Sequence, residues 1–379
     1  MPGAPAPGGS AGALVEAVGG APLLHFAQWY WPGKPPLADA CWIVATSKRA
    51  RAAHGLLTAL EEARLGPLAL LLLDEGSYEG PLPWVRIPGL GASRILSRLK
   101  PRILLALDDD PRARALAAAA SCPMAWVNGR SPDLLPLGPV AVASDLVASR
   151  IGGGAVIGDP LVAWPAAPAV STDAPFCERF QAVRKAGRWI VYFAGTESYE
   201  EALAYTTFMA LSAGSGGLLA LAPRDPERHE EVYREAIKYH LTTVRQARLM
   251  TSEVPPKTRV YYIESPEARR AMSGCADLIV AGGTLVAGAP PLPAEPPATG
   301  AATLAGPYPR NPLLAAAVQA EVVLSCTAVS DLGPVAAAWL ADVSGRARMA
   351  QALDRWVASQ PEARARFLAW FAEVTRSAI

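Results

Sequence analysis

The chain of 379 residues predicts an α/β protein: two doubly wound, Rossmann-type domains facing a cleft. Three observations predict it. The length exceeds one ordinary core and suits two domains of roughly 150 to 200 residues. Short apolar runs alternate with helix-compatible segments along most of the chain, the pattern of parallel strands buried on both faces. A Pro/Ala/Ser-rich stretch from Trp164 to Pro175 interrupts this alternation near the middle and is expected to be the linker.

The elements follow in order. Residues 1–20, beginning MPGAPAPGGSAGA, are rich in Pro, Gly and Ala and read as a flexible lead without the basic and apolar regions of a signal peptide. Residues 21–163 are expected to form the first domain. Its strands are expected at CWIVAT (from Cys41), LALLLL (from Leu68), ILLAL (from Ile103), MAWVN (from Met124), VAVAS (from Val140) and GAVIGD (from Gly154). Helices are expected over SKRARAAHGLLTALEEARL and DPRARALAAAA. After the linker, 164–175, the second domain covers 176–379. Its strands are expected at WIVYFAG (from Trp189), GGLLALAP (from Gly216), RVYYIE (from Arg259), DLIVAGG (from Asp277), AATLAG (from Ala301) and EVVLSC (from Glu321), followed by two terminal amphipathic helices broken near Pro361.

Composition narrows the function. Hydrophobic residues are 51% and charged residues 18%, enough to bury two cores. With 35 basic against 34 acidic residues the net charge is +1, which argues against nucleic acid as a partner. Any anion site must be local. Five dispersed cysteines, Cys41, Cys122, Cys177, Cys275 and Cys326, with no C-x-x-C pair, predict reduced structural thiols in a cytoplasmic protein. The four histidines show no ligand spacing, so no metal is expected. No apolar run reaches the length of a membrane span.

Four strand-end loops of the second half concentrate special residues. In AGTESYEE, Thr196 ends a strand and Ser198 is placed to cap a helix beginning at Tyr199, an arrangement equally suited to an anion or to an ordinary cap. In PRDPER, Arg224 and Arg228 flank a helix start; they can converge on a phosphate or carboxylate, or Arg228 can pair with Glu227 or Glu231 while Asp225 caps the helix. A third loop couples the Ser265-Pro266-Glu267 helix start to a strand ending in Gly282, Gly283 and Thr284, where glycines permit close backbone approach. The fourth, GAPPLPAEPPATG, carries Glu295 in a rigid proline setting; such a carboxylate accepts from ribose hydroxyls in dinucleotide folds, or is simply solvated.

Taken in order, these loops resemble those of the 3-deoxy-D-manno-octulosonic acid (Kdo) transferases, GT-B enzymes of lipopolysaccharide core synthesis. The family's P-R-H-P-E-R resembles PRDPER; its D-T-x-G-E-L and A-D-x-x-x-x-G-G-S-L resemble ESPEAR and ADLIVAGGTL; its N-P-L-E-P resembles LPAEP; and its G-P-h-x-x-N is similar to GPYPRN, ending at Asn311. More loosely, PLPWVRIPGL, VNGRS and VIGDPLV are similar to segments of the family's first domain. The resemblance implies glycosyl transfer from a nucleotide sugar, CMP-linked Kdo or a related acid sugar, to a lipid A-type or other envelope glycan acceptor, without metal or other cofactor. It places Arg224, Arg228, Thr196, Ser198, Gly282, Gly283, Thr284, Glu295 and Asn311 on the donor, and Arg130 and Ser131 facing the cleft from the first domain.

The departures carry information too. The family's early S-x-G-E, whose Glu is the general base, corresponds to HFAQWYWPGKPPL, which has no carboxylate between His25 and Leu37. The family's E-x-E-L-W-P becomes ALDDDP, so Asp108 is the best-matched replacement base, unless the three acids serve only the helix dipole. Asp225 replaces the family's His. Trp29, Trp31, Lys34, Arg94 and Arg98 make a basic, apolar surface that suits a lipid acceptor, peripheral contact with the cytoplasmic face of the inner membrane, or plain solvation. An inactive GT-B relative acting as a nucleotide-binding or partner subunit stays open beside the enzyme, as does, further off, a sugar-nucleotide epimerase.

Overall fold

The computed structural model describes residues 40–86, 96, 99–119, 122–162, 164, 174–213, 216–249 and 252–377. Trp29, Trp31, Lys34, Arg94 and Arg98 lie outside the described residues, as does most of the proposed linker. The chain divides into two units, one running to Ala163 and taking up Glu362–Ile379 again, the other Trp164–Pro361.

The first unit is an all-parallel sheet of β1 (Cys41–Ala45), β2 (Leu68–Leu72), β3 (Trp84–Arg86), β4 (Ile103–Ala106), β5 (Met124–Val127), β6 (Val140–Val142) and β7 (Ala155–Val156). Its order is β3-β2-β1-β4-β5-β6-β7. β1 pairs with both β2 and β4, Cys41 opposite Leu68 on one side and Ile103 on the other. Helices α1 (Ser47–Ala52), α2 (His54–Glu62), α3 (Pro111–Ala119) and α4 (Asp145–Ile151) connect the strands. Apolar side chains fill both faces: Ile43, Leu70 and Leu105 on one, Trp42, Leu71 and Leu104 on the other. That double burial is why these strands are continuous apolar runs rather than alternating ones.

The second unit repeats the plan. It contains α5 (Ala174–Glu178), α6 (Gln181–Lys185), β8 (Trp189–Thr196), α7 (Glu200–Ser212), β9 (Gly217–Pro223), α8 (His229–Lys238), β10 (Thr243–Arg245), β11 (Val260–Tyr262), α9 (Pro266–Ser273), β12 (Leu278–Ala281), β13 (Ala302–Ala305), α10 (Pro312–Gln319), β14 (Leu324–Ser325), α11 (Leu332–Ala341) and α12 (Val343–Ser359). The parallel order is β10-β11-β9-β8-β12-β13-β14. The α/β class and the two doubly wound sheets are as the sequence predicts.

Three expectations are corrected. The last helix, α13 (Ala363–Ser377), belongs to the first unit: Phe367 and Phe371 are fully buried in that unit's core, and Arg102 donates to the Thr375 carbonyl at 2.6 Å. Its amphipathic pattern showed that it packs, not on what. Two strands, β3 and β10, escaped the sequence reading because each is a three-residue, half-buried edge strand with no apolar run to mark it. Finally, Cys177 and Cys275, 98 residues apart in sequence, form a disulfide that ties α5 to the end of α9; Cys41, Cys122 and Cys326 are free. Sequence separation says nothing against such a pair once strands bring the ends together.

Among the described residues no helix is long and apolar enough to cross a membrane, and no group of three or more His, Cys, Asp or Glu side chains is placed to hold a metal ion.

Candidate functional site

In each sheet the chain leaves the central strand in opposite directions, opening a crevice at the strands' carboxyl ends. In the second unit this switch point lies between β8 and β12. Ala194 and Gly195 lie near the end of β8 here, and Gly282, directly after β12, approaches it so closely that a Cβ on Gly282 would lie 2.1 Å from the Gly195 carbonyl oxygen. Glycine is required at that crossing.

A cavity of about 210 Å³ opens here, lined by Arg224, Arg269 and Glu295 among polar residues and by Ile279, Pro296 and Leu314 among apolar ones. That is below the roughly 300–1,000 Å³ of pockets enclosing whole drug-sized ligands, so it has room for only part of such a molecule. Arg224 leaves β9 and spans two carboxylates: its Nε lies 2.8 Å from Glu197 Oε1, and its Nη1 2.9 Å from Glu295 Oε2. Asn311 caps α10, accepting from the Leu313 and Leu314 amides, and donates to the Glu295 carbonyl at 2.7 Å. The proline loop and the helix cap thus fix Glu295 at the rim, its carboxylate more than half exposed.

Of the donor-side residues expected from sequence, Arg224, Gly282, Glu295 and Asn311 line this cavity. The others point elsewhere. Arg228 makes a two-pronged ion pair with Glu201, at 2.9 and 3.0 Å, and Glu201 is all but fully buried. That carboxylate raises the Arg228 pKa above its ordinary value. Thr196 donates its hydroxyl to the same carboxylate at 3.0 Å. Thr284 turns its hydroxyl to the Ala281 carbonyl and accepts from the Gly306 amide. Ser198 is exposed and does not cap α7: the cap position is Tyr199, with φ 72°, and the Glu197 amide donates instead to Glu200.

Glu200 explains the Gly283–Thr284 turn. Fully buried, its carboxylate accepts from the amides of Gly283, Thr284 and Leu285 at 2.7, 2.9 and 2.8 Å. The backbone cradle that sequence reasoning offered to a ligand is filled by the protein's own anion. Sequence reasoning missed Glu197, Glu200 and Glu201; the available signal was a pair of acids opening a helix directly behind a Gly-Thr strand end.

Arg269, on α9, was also missed. It donates to the Arg224 carbonyl at 3.2 Å and contacts His229 Nε2 at 3.3 Å. A guanidinium can only donate, so Nε2 accepts and the neutral ring carries its proton on Nδ1. Burial first, then the Arg269 charge, hold the His229 pKa below 6.5. Below about pH 6.5 the unfolded chain therefore binds more protons, and stability is lost as pH falls. Urea unfolding between about pH 7.5 and about pH 5.5 is expected to show a drop in midpoint that His229→Gln reduces; an equal drop in both proteins would refute this.

In the first unit the switch point lies between β1 and β4. Asp108 follows β4 and is gripped by Arg49 of α1, Nη2 to Oδ1 at 2.7 Å and Nε to Oδ2 at 2.6 Å. Burial raises its pKa above the ordinary carboxylate value, against the pull of Arg49 and Arg130. The triple acid divides its labour: Asp110 accepts from the Arg112 amide at the start of α3 and Asp109 pairs with Arg114, so the helix-dipole role belongs to Asp110 and not to Asp108. Arg130 is exposed beside this group, and Ser131 caps the short helical turn at Pro132–Leu137. Asn128, in the left-handed region at φ 55°, donates to buried Asp159 at 3.1 Å.

No protein-family model and no curated protein matches the chain. Solved structures similar to it include the C-terminal CMP-Kdo binding domain of WaaA from Acinetobacter baumannii, 20% identical over 50% of this chain and 97% of that one, with a TM-score of 0.36. MurG from Acinetobacter baumannii is 13% identical over 88% of this chain and 99% of that one, with a TM-score of 0.36. Alr3699/HepE from Anabaena, solved with UDP-glucose, is 12% identical over 90% of this chain and 100% of that one, with a TM-score of 0.32.

Proposed function

We propose that the chain is a glycosyltransferase that holds a nucleotide-sugar donor in the second unit. The observation that carries this reading is the position of Glu295 at a doubly wound switch point: Asn311 holds its backbone carbonyl and Arg224 one carboxylate oxygen, which leaves a free edge to accept from both hydroxyls of a ribose. The apolar wall of Ile279, Pro296 and Leu314 suits the face of a base. The motif resemblance favours a CMP-linked Kdo or related acid sugar as donor and a lipid A-type or other envelope glycan as acceptor. We assign acceptor activation to Asp108, which the motif resemblance matches to an acid of the family's E-x-E-L-W-P segment and which follows β4 at the first unit's switch point.

Calorimetric titration with CMP and UMP tests the site. Arg224→Ala and Glu295→Ala are each expected to weaken nucleotide binding by about tenfold or more, the scale of one charge-assisted hydrogen bond. Normal binding by both variants places the site elsewhere; no binding by the parent protein ends the nucleotide reading. One observation favours a second reading, a nucleotide-binding partner subunit: Arg224, Arg228 and the Gly283–Leu285 amides are all met by the chain's own carboxylates. Nucleotide binding without sugar transfer to any lipid or glycan acceptor would support it.

A further inference from the structure

Four arginines gather around the turn that follows β9, and three of them are matched by acids. Arg224 contacts Glu197 and Glu295, Arg228 holds Glu201, and Arg245 pairs with Glu230 and Glu264. Arg269 is different. Its contacts are neutral, the Arg224 carbonyl and the His229 ring, and its buried Nε meets no acceptor among the described residues. It also lines the cavity beside Glu295. The cavity wall therefore carries two guanidiniums, and its one carboxylate is already engaged by Arg224.

A partly desolvated cation without a counter-ion is costly, and a guanidinium's planar set of donors matches a phosphate. We propose that Arg269 is the residue that binds the phosphate attached to the nucleoside, and so makes the site discriminate nucleotides from nucleosides. The inference rests on the nucleotide reading above and adds to it a specificity-determining residue. His229 is the positioning residue: its neutral Nε2 accepts from Arg269 and aims the guanidinium. Facing that ring are Arg269, Arg245, Glu264, Asp225 and the Tyr262 ring. Protonation turns Nε2 into a donor and sets a second cation against Arg269, so phosphate recognition weakens in acid.

The test is calorimetry with cytidine, CMP, uridine and UMP on the parent protein and on Arg269→Gln, Arg269→Lys and His229→Gln, with unfolding midpoints measured alongside. The parent is expected to bind the monophosphate about tenfold more tightly than the nucleoside. In Arg269→Gln this ratio is expected to fall to about one with nucleoside affinity unchanged, and Arg269→Lys to keep part of it. Between about pH 7.5 and about pH 5.5 the ratio is expected to fall more in the parent than in His229→Gln; the ligand's own protonation is common to both. An unchanged ratio in Arg269→Gln overturns the inference and leaves the nucleotide reading standing. Binding of neither nucleoside nor nucleotide by the parent removes both.

Discussion

Arg228→Ala is expected to cost the second unit about 3–5 kcal/mol of stability, because it strands a buried carboxylate. Glu201 is 1% exposed, and without Arg228 its remaining partner is the Thr196 hydroxyl at 3.0 Å. Urea unfolding measures the loss. Replacing both partners, Arg228→Met with Glu201→Met, is expected to recover much of it, since an apolar pair of similar volume carries no stranded charge. Nucleotide affinity of the folded protein is expected to be unchanged in the double variant. The reverse pattern, normal stability with lost nucleotide binding, would show that Arg228 serves the ligand and not the fold.

Glu200→Ala has a comparable expected cost, about 3–5 kcal/mol, for the complementary reason. Here the groups left behind are donors: the amides of Glu197, Gly283, Thr284 and Leu285 all lose their acceptor at once. Each unsatisfied buried amide costs about 1–3 kcal/mol, reduced where the turn relaxes toward water. Glu200→Gln is expected to be milder, because its amide oxygen still accepts while its NH₂ opposes the remaining donors. Unfolding midpoints of the two variants give the comparison. A Glu200→Ala protein as stable as the parent would mean that the Gly283 turn holds its shape by itself.

These two glutamates also show where sequence reasoning stopped. That Glu200 and Glu201 open a helix behind a Gly-Thr turn is visible in the residues, but acids at a helix start are ordinarily solvated and favourable to its dipole. Both are buried, one serving a turn 83 residues away and the other an arginine 27 residues away. Arg224 and Arg228 read as a pair in the sequence, and the fold separates them: the first lines the cavity, and the second is locked away from it. Arg269 carried no mark in the sequence at all, being one of two adjacent arginines on a short helix.

What the sequence by itself determined is local. Apolar runs interrupted by polar helices dictate parallel strands with both faces covered, and cap chemistry at Ser265 and Asp225 starts α9 and the turn before α8. Such preferences act over a few residues, through backbone sterics and the periodicity of burial. Tertiary structure alone decided the long-range partners: Arg224 with Glu295 across 71 residues, Cys177 with Cys275 across 98, and α13 with the first unit's core. Coulomb energy, hydrogen bonding and covalent pairing depend on distance in space, and side chains far apart in sequence acquire that distance only when the sheets assemble.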